Sequence, residues 1–248
     1  MFRRAPVRVL ASCAVAIVAG AAAVHAQHDM HSMHSMHSTP NTLTAAEKAA
    51  GWTLLFDGTS MKGWHLYQKP GQTTGWEAKD GMLVKTATTG DLMSDRQFGS
   101  FEMVLEWKIE SKGNSGIFFW ATEGTEVVYQ NAPEIQVLDN IGHRDGLSPL
   151  TSAGALYGLA PASPDLVKPL GEWNQVRVLV TGAIVETWFN GTKIADQVDF
   201  DSRAFKAMVA KTKFAQWPTY GLARKGSIGL QEHGNMIWYR NIKIREIK

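Results

Sequence analysis

The sequence predicts an all-β protein in which two antiparallel sheets pack face to face as a β-sandwich or jelly roll, with one short helix. Apolar and β-branched segments recur at short intervals along the 248 residues. Within them the side chains alternate: Val176, Val178 and Val180 point to one face and the residues between them to the other, as in a half-buried strand. Turn dipeptides that accept positive φ separate the segments, and Asn190-Gly191 is a strong hairpin signal.

Nine segments have this strand pattern. They are residues 51–58, 75–85, 98–110, 113–122, 133–140, 172–182, 183–195, 226–235 and 237–247. The one helix is predicted at about Ser202 to Phe214, and a short helical turn between Leu43 and Ala50 precedes the first strand. With 44% hydrophobic residues, the chain has enough apolar material for one globular domain of roughly 200 residues.

Residues 1–26 have the pattern of a secretory signal peptide. Arg3, Arg4 and Arg8 precede a short apolar run, and Val24 and Ala26 provide small side chains at the −3 and −1 positions. The run is shorter than the ~20 residues that span a bilayer. We therefore expect an exported protein, periplasmic or secreted, with no stable membrane insertion after cleavage.

Cleavage of the signal peptide changes the charge and the cysteine content. It removes three arginines and no carboxylate, so the net charge of +2 becomes −1, and it removes Cys13, the single cysteine. A chain without excess positive charge is a poor partner for nucleic acid. Without thiols, the mature protein is held together by packing rather than by disulfides.

Residues 27–46 are predicted to be a disordered, His- and Met-rich spacer before a folded domain at 47–248. Imidazole and thioether ligands together suit copper, so a weak metal-binding tether is the alternative interpretation. The histidines recur at intervals of three: His28, His31, His34 and His37.

The segment PEIQVLDN, residues 133–140, places Glu134 and Gln136 on one face of a strand and apolar residues on the other. The segment 226–235 repeats the arrangement with Gln231 and His233. If the two strands lie side by side, these four polar groups gather in a small area on the outer face of a sheet. Ordinary solvated positions are the alternative, although paired glutamines with a histidine are unusual on such surfaces.

Eight motifs follow one another along the chain: GWTLLFDGTSMKGW, GNSGIFF, PEIQVLDN, GALYGL, GEWNQVRV, WFNGTKIA, SIGLQEHG and YRNIKI. Together they resemble the 3-keto-disaccharide hydrolase family, over about residues 51–247. The resemblance implies a concanavalin-like jelly roll that acts on sugars oxidised at C3. One departure is visible, since Trp120 stands where the family often has an arginine.

A 3-keto sugar can lose its C1 substituent by elimination, because the ketone acidifies the hydrogen at C2. This chemistry needs a base, a group that stabilises the enolate and an acid for the leaving group. Glu134, expected to be ionised near neutral pH, and His233 are the candidate catalytic residues, and either can be the base.

The remaining candidates would bind the substrate. Tyr157 can donate to an oxygen or be a core aromatic, and Trp120 can stack on a sugar ring or pack in the core. Arg240 can face the groove or pair with Glu102 or Glu106. The residues suited to hold sugar hydroxyls are Asn114, Ser115, Gln136 and Gln231.

Two further interpretations stay open. Glu134, Asp139 and His233 are suitable ligands for a divalent cation that would polarise the ketone, although no spacing motif supports such a site. The alternative function is a non-catalytic, lectin-like carbohydrate-binding module, because the same fold carries both activities. The sequence does not indicate the oligomeric state.

Overall fold

The computed structural model describes residues 39–248. The predicted signal peptide and the four histidines of the spacer lie outside the described residues. Two antiparallel sheets pack face to face, which confirms the predicted sandwich. No helix within 39–248 is both long enough and apolar enough to cross a membrane.

The larger sheet has eight strands, all paired antiparallel. They are β1 (Thr53–Leu54), β3 (Trp76–Lys79), β4 (Met82–Lys85), β6 (Phe101–Ile109), β9 (Asn174–Thr181), β10 (Ile184–Phe189), β11 (Thr192–Asp199) and β13 (Ile237–Glu246). Their spatial order is β11-β10-β9-β6-β13-β4-β3, and β1 pairs with part of β13. The predicted hairpin at Asn190-Gly191 joins β10 to β11.

The smaller sheet has five strands. They are β2 (Trp64–Leu66), β5 (Leu92–Phe98), β7 (Asn114–Ala121), β8 (Glu134–Leu138) and β12 (Gly226–Leu230). Their spatial order is β2-β5-β12-β7-β8. The strand β7 therefore lies between β8 and β12. The two polar segments of the sequence are not direct neighbours, contrary to the arrangement that we expected.

Helical segments are short. Helix α1 (Ala45–Ala49) begins with a capping box between Thr44 and Glu47. Helix α2 (Arg203–Val209) begins where Ser202 accepts a hydrogen bond from the Phe205 N–H at 3.0 Å. Residues 39–248 also contain three 3₁₀ turns: Val128–Gln130, Arg144–Leu147 and Lys213–Gln216. Asn41, which precedes the predicted domain boundary at 47, exchanges hydrogen bonds with Asn241 of β13.

The core lies between the two sheets. Val176, Val178 and Val180 are fully buried there, as their alternation predicts. Trp107 stacks on Phe189 with ring centroids 6.0 Å apart. Burying a large apolar side chain contributes about 1.5–3 kcal/mol, so a core of this kind can stabilise the chain without disulfides.

Trp120 belongs to this core, which corrects its assignment to a sugar-binding surface. Its φ of 54° and a register shift in the adjoining pairing mark a bulge at the end of β7. The bulge turns Trp120 inward beside Phe119, and the indole N–H donates to the Gly99 carbonyl at 2.9 Å. With no exposed surface, the ring cannot stack on a ligand.

The structure agrees with one of the two expectations for Arg240, the salt bridge, and contradicts the other, the substrate groove. It lies on β13, on the outer face of the larger sheet, where its Nε donates to Glu106 at 2.6 Å. The guanidinium lies 4.1 Å from the centroid of Trp173. The salt bridge to Glu106 is therefore confirmed, and the assignment of Arg240 to a substrate groove with Glu134 is wrong.

Candidate active site

The candidate site lies on the outer face of the smaller sheet, around Glu134. This face is covered rather than open. Residues 122–132 pack over one end of it, where Val128 meets Phe118 and Met93 in a small apolar cluster. Residues 139–160, the covering segment, fold back against β8. Glu134 and Gln136, which the sequence analysis expected on an exposed face, are both buried.

The covering segment makes backbone hydrogen bonds along β8. The Tyr157 N–H donates to the Glu134 carbonyl at 2.9 Å, and residue 136 exchanges hydrogen bonds with Ala155 and Gly154 at 3.0 and 2.9 Å. The Gln136 amide donates to the Thr151 carbonyl at 3.0 Å. Gln136 therefore anchors the covering segment, and its burial contradicts the expectation that it binds a sugar hydroxyl.

Glu134 reaches across β7 because Gly116 has no side chain. A β-carbon at residue 116 would lie 2.7 Å from the Glu134 Cδ, well inside van der Waals contact. The carboxyl therefore occupies the space above Gly116 and is directed towards β12, since the Gln231 N–H donates to the Gly116 carbonyl. Although β7 separates β8 from β12, the missing side chain at Gly116 thus allows residues of both strands to contribute to one site.

The Glu134 carboxyl is buried and lacks hydrogen-bond partners within residues 39–248; the residue is 6% exposed. Burial raises its pKa to about 8. The positive charge of Lys213 opposes this shift, and the charges of Asp91 and Asp145 add to it. The expectation of an ionised Glu134 at neutral pH is therefore wrong, because desolvation favours the protonated form.

Asp91 is the second carboxyl group of the site. It precedes β5 and accepts the backbone N–H of Glu232 at 2.7 Å. Burial raises the pKa of Asp91 to about 6. The hydrogen bond from the Glu232 N–H partly opposes this increase, and the negative charge of Glu232 adds to it. Glu232 in turn pairs with the buried Lys85 at 2.8 Å. Two carboxyl groups with different raised pKa values thus lie within electrostatic range of each other.

Lys213 supplies positive charge to the site, and its ammonium group lies among three aromatic side chains. Its Nζ lies 4.5 Å from the ring centroid of Tyr157, 5.6 Å from that of Tyr129 and 5.5 Å from that of Phe214. Tyr157 is half-buried beside Glu134, and burial raises the pKa of its hydroxyl to about 12, with Asp145 and Glu134 adding to the shift. The hydroxyl therefore remains a donor at neutral pH.

His233 is exposed and makes no hydrogen bond with Glu134 among the described residues. Its ring lies 6.4 Å from that of His143, nearly perpendicular to it. His143 accepts the Asp145 N–H at its Nδ1 at 3.2 Å, so a neutral ring carries its proton on Nε2. Because the charge of Asp145 acts on Glu134, the two histidines and the buried carboxyl lie at the same part of the molecule.

Asn114 and Ser115, which we expected to bind sugar hydroxyls, point to opposite faces of β7. The Ser115 hydroxyl faces the core, where it contacts the Tyr239 hydroxyl at 2.9 Å and donates to the Gln231 carbonyl at 2.7 Å. It is fully buried there, so its assignment to the substrate is wrong. Asn114 lies on the outer face, two residues from Gly116, and its buried Oδ1 has no partner within residues 39–248.

The residues proposed for a cation do not converge. Both oxygens of Asp139 accept backbone N–H groups, from Lys112 at 2.7 Å and from Ile141 at 3.2 Å. Asp139 therefore holds a turn instead of facing Glu134 and His233. Within residues 39–248, no group of three or more His, Cys, Asp or Glu side chains is arranged to hold a metal ion.

Several residues of the site have no signal in the sequence. Asp91, Asp145, His143 and Lys213 all lie outside the strands, on segments whose position depends on the folded chain. Lys213 lies shortly after the end of helix α2. From the sequence alone, it is most simply interpreted as a cation that stabilises the end of that helix. Of the residues predicted from the sequence, Glu134, Asn114, Gln136, Tyr157, Gln231 and His233 lie at this part of the molecule, and the roles of all but Gln136 stay predictions.

Known proteins resemble the chain over nearly all of the sandwich. A solved candidate glycosyl hydrolase from Parabacteroides distasonis is 30% identical with a TM-score of 0.79, covering 85% of this chain and 100% of its own. A second one from the same organism is 28% identical with a TM-score of 0.62, covering 79% and 99%. A curated 3-keto-disaccharide hydrolase from Bacteroides thetaiotaomicron is 32% identical over 236 residues, which is 79% of each chain.

The sandwich, its buried carboxyl groups and these relatives define the protein as a glycoside hydrolase or lyase. The family model of the 3-keto-alpha-glucoside-1,2-lyase-like domain matches residues 51–245. The chain belongs to this family, which confirms the resemblance noted in the sequence.

Proposed function

We propose that the protein cleaves the glycosidic bond of 3-keto-glycosides, 3-keto-disaccharides among them, by elimination followed by hydration. The observation that carries this proposal is the pair of buried carboxyl groups whose pKa values are raised to about 8 at Glu134 and about 6 at Asp91. Near neutral pH one holds a proton and the other is ionised. An acid and a base are thereby available together.

In the proposed first step Asp91 removes the proton at C2, and the electron pair of the C2–H bond forms an enolate with the C3 ketone. The enolate then collapses to a C1–C2 double bond and expels the oxygen on C1, which takes its proton from Glu134. In the hydration step Glu134 takes a proton from the water molecule whose oxygen adds at C1, and Asp91, after exchange of its proton with solvent, returns a proton to C2. The net reaction is hydrolysis of one glycosidic bond, with each carboxyl returned to its starting state.

Other groups of the site suit supporting roles. The ammonium of Lys213 can stabilise negative charge on the enolate oxygen, because its charge already acts on Glu134 in this enclosed environment. The Oδ1 of Asn114 can accept a hydrogen bond from a sugar hydroxyl, and the amide of the half-buried Gln231 can accept or donate one. His233 and His143 lie at the exposed side and can exchange protons with solvent.

The experiment is cleavage of a 3-keto-glucoside in deuterium oxide, compared with the parent glucoside. The proposal expects turnover of the ketone only, with one deuterium at C2 of the released sugar. A product that keeps its original C2 hydrogen would exclude elimination. Glu134→Gln should reduce turnover at least about 100-fold, whereas Glu172→Gln, at an exposed carboxylate, should not. Sugar binding without turnover in the native protein would favour the lectin-like alternative.

We also propose that the protein acts outside the cytoplasm, after removal of residues 1–26. The arginines and the apolar run at the N-terminus support this proposal. N-terminal sequencing of the protein from a periplasmic or culture fraction should begin at Gln27. A chain that retains Met1 in the cytoplasmic fraction would contradict the proposal.

A further inference from the structure

An apolar groove runs beside the candidate site, between α2, the 3₁₀ turn Lys213–Gln216 and the segment 217–222. Its volume is about 240 Å³. We call it the aromatic groove. Leu222, at its surface, is 57% exposed. Its principal lining residues are Phe205, Val209, Phe214, Trp217, Tyr220 and Leu222.

The aromatic groove offers few partners for a polar ligand. Lys206 and Tyr220 are the two lining side chains that carry donor or acceptor groups, apart from the indole N–H of Trp217. A second sugar would bring several hydroxyl groups, and each one buried without a partner costs free energy. Apolar walls with a small number of polar groups are instead typical of sites for small, ring-shaped organic ligands.

The aromatic groove and the carboxyl site share a wall. Tyr220 stacks on Phe214 with ring centroids 4.0 Å apart, and the edge of Phe214 meets Tyr157 at 6.4 Å. Burial raises the pKa of Tyr220 well above its ordinary value, and the charge of Glu134 adds to the shift. The hydroxyl is therefore within electrostatic range of the proposed acid, and it has no hydrogen-bond partner within residues 39–248.

We propose that the aromatic groove binds the aglycone of the substrate and that this aglycone is aromatic. The inference rests on the proposed function, in which Glu134 protonates the oxygen that leaves C1. A substituent leaving from that point would extend along the shared wall into the groove. A cavity of about 150 Å³ is enough for benzene, so the aromatic groove accommodates one or two fused rings stacked against the half-buried Trp217.

The test compares benzyl and methyl 3-keto-glucosides as substrates, since the methyl group does not reach the groove. The native protein should have a ratio of kcat/KM, benzyl over methyl, of about ten or more, in the range typical for apolar pockets. Leu222→Asp places a charge at the mouth, and Ala215→Trp adds a bulky ring to the exposed part of the lining; each should lower this ratio about tenfold. Leu170→Asp is the matched control, because Leu170 is 53% exposed elsewhere on the surface.

The outcomes separate the two proposals. If the native protein cleaves neither compound, the proposed function fails and the aglycone site fails with it. If it cleaves both and the two groove variants leave the ratio unchanged, the aglycone site alone is wrong. If the variants reduce cleavage of a 3-keto-disaccharide as much as that of the benzyl compound, the groove binds a sugar and the aromatic assignment is wrong.

Discussion

Replacing Glu134 by Gln should change how the stability of the protein depends on pH. Glutamine has nearly the same shape as the protonated acid but cannot ionise. The pKa of Glu134 is raised from 4.5 to about 8 in the folded protein. Each pKa unit corresponds to about 1.4 kcal/mol, so the shift corresponds to about 5 kcal/mol of linked free energy.

The sign follows from which state holds the proton more tightly. Below pH 4.5 both the folded and the unfolded protein hold it, and the stability linked to Glu134 is fully present. As the pH rises from 4.5 to 8 the unfolded chain loses the proton first, so the free energy of unfolding falls. Above pH 8 both states are ionised and no further loss occurs.

The measurement is urea unfolding followed by tryptophan fluorescence between pH 4 and 9, for the native protein and Glu134→Gln. The difference in the free energy of unfolding, native minus variant, should fall by about 5 kcal/mol across this range. Glu172→Gln controls for the loss of a carboxylate at an exposed position. A difference that stays constant with pH would show that the carboxyl of residue 134 is not desolvated, and the assignment of an acid would be refuted.

Three other changes test separate parts of the structure. Gly116→Ala should displace the Glu134 carboxyl. We expect kcat to fall about 100-fold and the free energy of unfolding to fall by about 1–3 kcal/mol. Unchanged turnover would contradict the close contact seen in the structure. Lys213→Met removes a charge that lowers the pKa of Glu134, so the alkaline limb of the pH–rate profile should move to higher pH by about one unit; a limb that moves to lower pH would contradict this electrostatic role. Glu102→Ala should lower the free energy of unfolding by about 3 kcal/mol, because Glu102 is buried and accepts hydrogen bonds from Arg177 and Arg245 at 2.6 and 2.7 Å. The same change should leave kcat unaltered. Urea unfolding measures the first effect and a steady-state assay the second.

Much of the fold follows from local patterns. The alternation of valines in β9, the hairpin at Asn190-Gly191 and the helix start at Ser202 are each fixed by a few neighbouring residues. The nine predicted segments contain ten of the thirteen strands found between residues 39 and 248 and the first half of β11. The two that were missed lack the pattern: β2 has three residues, and β5 contains Asp95, Arg96 and Gln97 in succession.

The site was less predictable because its properties arise from distant segments. The alternation in β8 correctly placed Glu134 on the outer face of a sheet. It could not show that the folded chain buries this carboxyl, and this burial is what raises its pKa. The sequence left two interpretations of Trp120 open, stacking on a sugar or packing in the core, and the bulge at the end of β7 turns the ring inward.

The backbone hydrogen bonds between β8 and residues 154–157 have a consequence for the behaviour of the protein in concentrated solution. β8 is the last strand of the smaller sheet, and a bare terminal strand is a template on which another chain can add. Here its free side is already occupied by Ala155, Gly154 and Tyr157. The strand that carries Glu134 is thereby protected from intermolecular pairing and aggregation.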